Sequence, residues 1–468
     1  MGNSTRSRRH AMSLFRLKTT ECKVGVVGLY NAGKTVLLTS LINHLQDHDP
    51  DRFPLGSKET HIRKFTVRSP DRDWAAFNYP GHRDALVNAG KWPSKTTDRS
   101  QFVCQFQRSD WTFSDCMLKL YDLPGERIAD AGMVGRDFTG WSEKMLALLV
   151  NDTAYRTCSA PFLDAIKKPG VTAAELLYAY KLSLANLILN FKPLISPSTF
   201  LLDLHGTPAR PDTPENLAKS RFSGADAENE FCPLPADLRV RGSEMFDAFS
   251  FRYDRYVERV VEPTILAFRS CTALIVLVDV TMLLAGGVGM YDDNRQIIRD
   301  LFDVLSPGEN KVFGPIARGL SKVLLPHQWR PGWITRVAFA APKMDLVHPS
   351  DRDRMLMLLR RMAERYAADR DGLKYDFFNL SSVVSTRAMP SEAGTRLLVG
   401  TPLRDADGRK IPPGAEQRFT VSELPDDWPM TWSPGTYSFP EVYPRMPARK
   451  DYPPDQVNVD RLATFVIE

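Results

Sequence analysis

Apolar and polar positions in the first part of the chain predict strands and a helix. Residues 23–27 (KVGVV) form a short β-branched run, and residues 35–45 place apolar side chains at helical spacing. A strictly alternating run at 101–107 (QFVCQFQ) and a run at 117–122 (MLKLYD) predict two further strands. The chain therefore begins with a strand, a glycine-rich turn and a helix, and two strands follow.

The later part of the chain returns to this alternation. Residues 272–280 and 336–341 are apolar on both faces, as buried parallel strands are, and each leads into a helical pattern. Residues 375–384 predict one more strand. Because alternating strands and helices form parallel sheets wrapped by helices, the pattern predicts an α/β fold with a mainly parallel sheet.

The segments between and after these runs predict the domain organisation. Apolar residues recur every three to four positions from about 130 to 268, which predicts a helical insertion. After about 390 the chain is rich in Pro and Trp, and we expect an extension packed on the core because its aromatic side chains would be costly to leave in water. The predicted parts are a basic flexible tail (1–20), two halves of one α/β domain (21–129 and 269–390), the helical insertion (130–268) and the C-terminal extension (391–468).

Composition excludes some classes of protein. A chain of 468 residues with 43% hydrophobic residues supports two or three domains and is not disordered throughout. The net charge of +5 is too small to indicate an anionic partner, and no sequence-specific binding of nucleic acid is expected. The six cysteines contain no CxxC pair, and the eight histidines form no cluster at metal-ligand spacing. We expect a reducing cytoplasm.

Two segments bear on location. Residues 1–20 carry several arginines without the apolar run of a signal peptide, which favours a solvated basic tail; weak contact with an anionic membrane surface is the alternative. The most apolar stretch, 273–285, is too short to cross a bilayer and contains Asp279. The prediction is a cytoplasmic protein, with peripheral attachment at the inner face of the membrane as the alternative.

Residues 28–35 (GLYNAGKT) fit the pattern GxxxxGK[ST] between a predicted strand and a predicted helix. Successive backbone N–H groups at a helix N-terminus form an anion site. Lys34 would neutralise the β- and γ-phosphates, and Thr35 would offer its hydroxyl to Mg²⁺, a hard ion that prefers oxygen ligands. The residues predicted to bind nucleotide here are Tyr30, Asn31, Ala32, Gly33, Lys34, Thr35 and Val36.

A second element, DLPG at 122–125, follows a predicted strand. Asp122 would hold Mg²⁺ through water, and the amide of Gly125 would sense a γ-phosphate. Glu126 occupies the position where many GTP-hydrolysing enzymes carry the glutamine that orients water. A carboxylate can orient water or accept its proton but repels the γ-phosphate, so slow hydrolysis is predicted; an ion pair with a nearby arginine is the alternative role of Glu126.

Residues 342–345 (PKMD) partly match the guanine-reading element NKxD. The carboxylate of Asp345 would accept hydrogen bonds from guanine N1–H and its amino group, an arrangement that adenine does not offer. Lys343 would lay its aliphatic stem along the base. Pro342 replaces the usual polar residue and weakens the case for strict guanine specificity, so an ATP-hydrolysing protein or a nucleotide kinase stays an alternative.

The order of these motifs is that of a Ras-like domain, and the chain resembles the YcjX-like family of bacterial G proteins. The resemblance spans about residues 22–468. It is carried by GLYNAGKT, WPSKT at 92–96, DLPGE, RYDRYVERVVEPT, FAAPKMD and VVSTR. It implies a Ras-like domain that binds and hydrolyses GTP, with a large helical insertion after DxxG, in cytoplasmic proteins linked to membrane-stress responses.

Three site assignments follow from the resemblance. Thr96 would be the switch threonine whose hydroxyl reaches Mg²⁺, with Thr97 as the alternative. Ser382 and Val383 would read guanine O6, in a register open by one or two residues. Asn31 would help hold K⁺ against the phosphates, as in MnmE-like and Era-like proteins; an asparagine that caps its own turn is the alternative.

The sequence therefore predicts a protein that binds GTP and hydrolyses it to GDP and phosphate, with Lys34, Glu126 and Thr96 as catalytic residues. Because the insertion begins just after Glu126, it is the expected surface for an unknown protein effector of a nucleotide-dependent switch. A scaffold that holds GTP with negligible turnover is a further alternative.

Overall fold

A central sheet of eight strands organises the fold. The computed structural model describes residues 18–28, 32–94, 99–111, 114–123, 130–151, 153–191, 213–219, 230–305, 334–368, 372–390, 395–405, 409–450 and 452–467. The strands are β1 (Lys18–Gly28), β2 (Ile62–Arg68), β3 (Ala75–Ala76), β4 (Ser100–Arg108), β5 (Ser114–Asp122), β6 (Ala273–Leu277), β7 (Arg336–Ala341) and β8 (Lys374–Asn379). Their order is β2-β4-β5-β1-β6-β7-β8, with β3 beside β4.

The sheet is mainly parallel, as the sequence predicts. The pairs β5–β1, β1–β6, β6–β7 and β7–β8 are parallel. The pairs β2–β4 and β4–β5 are antiparallel. Only residues 109–113 separate β4 from β5, which is too short for a crossover connection, so these two strands form a hairpin.

Strand β2 and helix α2 (Tyr79–Val87) were not predicted from the sequence. Strand β2 is a partly solvated edge strand, and its register against β4 shifts between Arg63 and Thr66, where Lys64 adopts a positive φ of 51°. This irregularity interrupts the alternation from which strands are recognised.

The remaining described helices wrap the sheet and form the insertion. They are α1 (Lys34–Gln46), α3 (Phe138–Asn151), α4 (Thr153–Cys158), α5 (Ala160–Ala165), α6 (Ala173–Phe191), α7 (Pro214–Lys219), α8 (Glu244–Tyr256), α9 (Glu262–Arg269), α10 (Val280–Leu305), α11 (Arg352–Ala368) and α12 (Val459–Ile467). A π-helical turn, Val257–Val261, joins α8 to α9. No helix in the described ranges has both the length and the apolar character needed to span a bilayer.

Both faces of the sheet are buried, which explains the continuously apolar strands. Leu274 and Val276 of β6 face the side covered by α10, α11 and insertion helices. Ala273, Ile275 and Leu277 alternate with them and face the side covered by α1 and α12. The protein therefore has a helix–sheet–helix core.

Insertion helices share the core of the first face. Trp141 of α3 lies 5.1 Å from the ring of Phe231 and 5.3 Å from that of Tyr253 on α8, measured between ring centroids. These aromatic residues belong to the same continuous apolar cluster as β6 and α10. The described part of the insertion therefore packs on the sheet, whereas its boundaries at 130 and 268 stay predictions.

The C-terminal extension packs at a break in α10. Gly287 has φ 87° and ψ 174° inside this helix, and a Cβ there would lie 2.9 Å from Pro434. The extension supplies partners at the break: Trp432 donates from its indole nitrogen to the Leu284 carbonyl (2.9 Å) and accepts from the Val288 amide (3.1 Å). Elsewhere two of its strands, β10 (Leu397–Gly400) and β11 (Gln417–Thr420), form a small antiparallel sheet with β9 (Arg387–Ala388), which precedes the extension.

Candidate nucleotide site

Five parallel strands end at one edge of the sheet, and the residues that the sequence predicts to bind a nucleotide lie at or just after those ends. The phosphate loop (residues 28–35) follows β1, and Asp122 ends β5. Lys343 and Asp345 follow β7, and the base-side loop (residues 380–386) follows β8. The carboxyl edge of an open α/β sheet is where such folds bind ligands.

Two glycines shape the described ends of the phosphate loop. Gly33 precedes α1 with φ 82°, a left-handed conformation that L side chains rarely adopt. Gly28 lies so close to β6 that a Cβ there would come within 2.8 Å of the Leu277 Cβ. Helix α1 can therefore begin directly at Lys34, with its first N–H groups directed toward the loop.

Lys34 and Asp122 lie beside this loop. The Lys34 ammonium donates to the Gly28 carbonyl at 2.7 Å, so the side chain reaches back to the end of β1. Thr35 lies in the first turn of α1. Asp122 is fully buried and is paired in register with Val26, two residues before the loop begins.

The structure describes only two of the other residues predicted on the phosphate side. Ala32 is buried and Val36 is half-buried. The predicted residues Tyr30, Asn31, Thr96, Gly125 and Glu126 lie outside the described residues.

On the base side, Asp345 is held by two serines. Its carboxylate accepts from the Ser381 hydroxyl (2.7 Å), from the Ser385 amide (2.8 Å) and from the Ser385 hydroxyl. The Asp345 amide in turn donates to the Ser381 hydroxyl at 2.8 Å. Ser382 and Val383 lie between these serines, and their role toward a base stays a prediction. The predicted strand at 375–384 ends at Asn379, so these residues belong to a loop.

Lys343 is paired with a residue whose role sequence reasoning missed. Its ammonium lies 2.5 Å from the Asp279 carboxylate, whose side chain is fully buried just after β6. The same carboxylate accepts from the Thr281 hydroxyl (2.7 Å) and the Met282 amide (3.0 Å), and so caps α10. The sequence signal that could have indicated a role for Asp279 is its position as a charged residue inside the apolar run 273–285.

Comparison with known proteins identifies the family. The model of the YcjX-like family, DUF463, matches residues 22–468. The chain belongs to this family.

Two curated relatives carry the name Ras-like GTPase YcjX. The protein of Escherichia coli (strain K12) is 25% identical over 412 residues, which cover 81% of this chain and 84% of the relative. The protein of Shewanella oneidensis (strain MR-1) is 23% identical over 486 aligned positions, which cover 96% of this chain and 91% of the relative. The similarity thus includes most of the length of all three proteins.

In this YcjX-like chain, two tyrosines of α8 hold the segment that enters the insertion. Tyr256 donates to the buried carboxylate of Asp130 at 2.5 Å. The Tyr253 hydroxyl lies 3.2 Å from the Met133 carbonyl and 3.0 Å from the Arg136 carbonyl. Burial raises the pKa of Tyr253, so its hydroxyl stays protonated and can donate.

Helix α10 connects the same segment to the sheet. The Asp300 carboxylate pairs with Lys144 of α3 and lies 3.5 Å from the Arg136 guanidinium. Tyr155 of α4 donates to Asp293 of α10. Charged and hydroxyl groups therefore bind α10 to the first insertion helices.

Oxygen ligands suitable for Mg²⁺ are present on the phosphate side of this YcjX-like site. Thr35 lies in the first turn of α1 and Asp122 ends the neighbouring strand β5, and a hydroxyl with a carboxylate suits an ion that takes few protein ligands. Among the residues that the structure describes, no group of three or more His, Cys, Asp or Glu side chains is arranged to hold a metal ion.

Proposed function

We propose that this chain binds GTP and hydrolyses it to GDP and phosphate. The observation that carries the proposal is the position of the phosphate loop after β1 and of Lys343 and Asp345 after β7, at one edge of the sheet with only β6 between them. A lysine-bearing loop at a helix N-terminus suits a polyphosphate, and a fixed carboxylate suits guanine. The names of the two relatives support the same activity.

Lys34 carries the charge that the phosphates require. Its ammonium is already held by the Gly28 carbonyl at the end of β1, so a bound β,γ-phosphate would meet a positioned cation. Thr35 and Asp122 would hold Mg²⁺, which would neutralise negative charge on the phosphates during transfer.

Asp345 selects the base. The serine donors fix the plane of its carboxylate. Its remaining acceptor capacity would therefore meet guanine N1–H and the amino group without a search among rotamers. Lys343, held by Asp279, would cover the base with its aliphatic stem. We assign recognition of guanine O6 to an amide near Ser382 and Val383.

Hydrolysis requires a positioned water. We propose that Glu126 orients it and that Thr96 senses the γ-phosphate through Mg²⁺. The carboxylate of Glu126 repels the γ-phosphate, and slow turnover follows. K⁺ held by Asn31 would reduce this repulsion, and a higher rate in KCl than in NaCl would support that role.

The insertion is the proposed effector surface of a nucleotide-dependent switch. The DxxG element ends at Gly125, and Asp130, only five residues later in the sequence, is bound by Tyr256 of α8. A displacement of the DxxG element would therefore pull on α8 through Asp130. Its proposed partner is an unidentified protein; contact with an anionic membrane, a cytoplasmic location and a role in stress stay predictions.

Calorimetry of the full chain with GDP and with ADP, each with Mg²⁺, tests binding and base choice together. We expect GDP to bind at least about tenfold more tightly than ADP, because adenine offers no N1–H and amino donors to the remaining acceptor capacity of the Asp345 carboxylate. Equal affinities would favour the ATP-hydrolysing alternative, and no binding of either would refute the proposal. Release of phosphate from GTP over hours distinguishes a hydrolase from a scaffold.

Hydrogen exchange tests the switch. We expect residues 244–269 to exchange at different rates with GDP and with a non-hydrolysable GTP analogue, and Tyr256→Phe to reduce that difference, because it removes the hydroxyl bound to Asp130. Tyr178→Phe on the exposed face of α6 is the matched control. Identical exchange in both nucleotide states would exclude this segment as the switch output.

A further inference from the structure

A short C-terminal segment pairs with the base-side loop as an added strand would. This segment, the C-terminal strap (residues 452–458), precedes α12. The Val457 amide donates to the Ser381 carbonyl at 2.9 Å, and the Ser381 amide donates to the Val457 carbonyl at 3.0 Å. The strap therefore binds, through the backbone, the same serine whose hydroxyl holds the Asp345 carboxylate.

Two further hydrogen bonds extend this pairing in both directions along the loop. The Val384 amide donates to the Asp455 carbonyl at 2.8 Å. The Asn458 side-chain amide donates to the Asn379 carbonyl at 2.7 Å, at the point where β8 ends. The strap thus spans the loop from its first residues almost to Ser385.

The loop needs these partners because of its own shape. It leaves the sheet after Asn379 and turns so that Ser381 and Ser385 both face Asp345. Buried backbone groups in such a turn must find donors and acceptors outside a regular ladder, and the strap supplies them. Displacement of the strap would leave the two serines free to move away from the carboxylate.

The strap itself is fixed at its other side to the first part of the chain. The imidazole of His44 on α1 lies 3.2 Å from the Pro454 carbonyl, and the guanidinium of Arg52 lies 2.7 Å from the Asp455 carboxylate. Helix α12, which follows the strap, is buried against the sheet face that α1 also covers. The strap therefore lies between the base-side loop and the first part of the chain and contacts both.

We propose that the C-terminal strap is a positioning element for guanine recognition and that Asn458 is its key positioning residue. The inference rests on the proposed function. Asn458 acts through the loop: it holds the Asn379 carbonyl, the loop holds Ser381 and Ser385, and the serines orient Asp345 toward the base. The C-terminal extension thereby completes a site that the Ras-like motifs build only in part.

Asn458→Gly tests this role with little change to the backbone. Asn458 has a positive φ of 62°, which glycine adopts readily, so the substitution removes the side-chain donor and keeps the turn. We expect the dissociation constant for GDP to rise about five- to tenfold, with that for ADP changed less than about twofold, since ADP makes no use of the Asp345 carboxylate.

Trp432→Phe is the matched control. It removes a comparable hydrogen bond between the extension and the core, at the break in α10 rather than at the base-side loop. We expect both nucleotide affinities to stay within about twofold of the parent. Thermal unfolding of both variants shows whether an effect on GDP exceeds general destabilisation.

Hydrogen exchange of the unmodified full chain gives a second measurement that needs no variant. Two reciprocal backbone hydrogen bonds join Val457 to Ser381. GDP should therefore slow amide hydrogen exchange in residues 452–458, and ADP at the same saturation should slow it less.

The outcomes separate the strap from the proposed function. A parent chain that binds GDP no better than ADP overturns both. If the parent prefers GDP, two results overturn the role of the strap alone. One is an Asn458→Gly variant that binds GDP as tightly as the parent does. The other is a Trp432→Phe variant that loses as much GDP affinity as Asn458→Gly. Exchange in 452–458 that GDP leaves unchanged overturns that role as well.

Discussion

The two ends of the candidate site are built in different ways. The described groups of the phosphate side include Gly28, Gly33 and Lys34, which lie within seven residues of one another in a strand–loop–helix unit. On the base side, Asp345 depends on the loop at 380–386 and on the strap at 452–458. The first end can be recognised from a local pattern, whereas the second exists only after distant segments have packed together.

The largest expected effect is at the phosphate side. Lys34→Ala should lower GTP affinity by at least about a hundredfold, because it removes the positioned cation from a site for several negative charges. Calorimetry with GTP and Mg²⁺ measures the change, and the exposed Lys58→Ala is the control. An unchanged affinity would mean that this loop does not bind the phosphates.

At the base side, Asp345→Asn keeps the size of the side chain and replaces one acceptor by a donor. The introduced NH₂ group would face donors of Ser385 or of guanine, and two donors do not form a hydrogen bond. GDP affinity should therefore fall about ten- to a hundredfold, while ADP affinity stays similar. The exposed Asp353→Asn serves as the control. An equal loss for both nucleotides would indicate a structural role of Asp345 instead of base selection.

Asp279→Asn probes the carboxylate that pairs with Lys343, and its expected effect is smaller. An asparagine can still accept from Thr281 and Met282, but it no longer neutralises Lys343, so we expect GDP affinity to fall about threefold to tenfold. Competition titration against labelled GDP is the measurement. Asp292→Asn, which lies 3.6 Å from Arg295 on the same helix, should have no effect.

The smallest expected effect is a pH dependence of stability near the strap. Burial lowers the pKa of His44 to about 4, and its ring stacks on Phe53 with centroids 4.8 Å apart. Between pH 6.5 and 4 the unfolded chain binds a proton at this site that the folded chain does not, so stability falls as pH decreases in this window.

At pH 5.5 the loss from His44 should be about 1 kcal/mol, and it should vanish above pH 7. Thermal unfolding across this range is the measurement. His44→Gln should reduce the slope of the curve without removing it, because burial also lowers the pKa of His48 and of His82; His61→Gln, at an exposed position, is the control. A parent curve that is flat from pH 7 to 5 would contradict the buried neutral state of His44.

Much of the fold could be predicted because its local patterns are strong. The strands around 272–280 and 336–341 are apolar on both faces, and the structure buries both faces. Strand β2 was not predicted because it is an edge strand with solvated positions on both faces, and because its register against β4 shifts within the strand. The break in α10 at Gly287 is stabilised by Trp432 and Pro434, which no local pattern connects to it.

The sequence by itself determined the phosphate loop, the alternation of strands and helices, and the position of Lys343 and Asp345 directly after a strand. Each of these features depends on residues close together in the chain. Only the tertiary structure decided what holds Lys343 and Asp345. Asp279, the serines of the base-side loop and the strap come from separate segments, and their contacts form when both faces of the sheet are covered. Spacing encodes backbone geometry over a few residues, whereas hydrogen bonds across the sheet edge require the packed core.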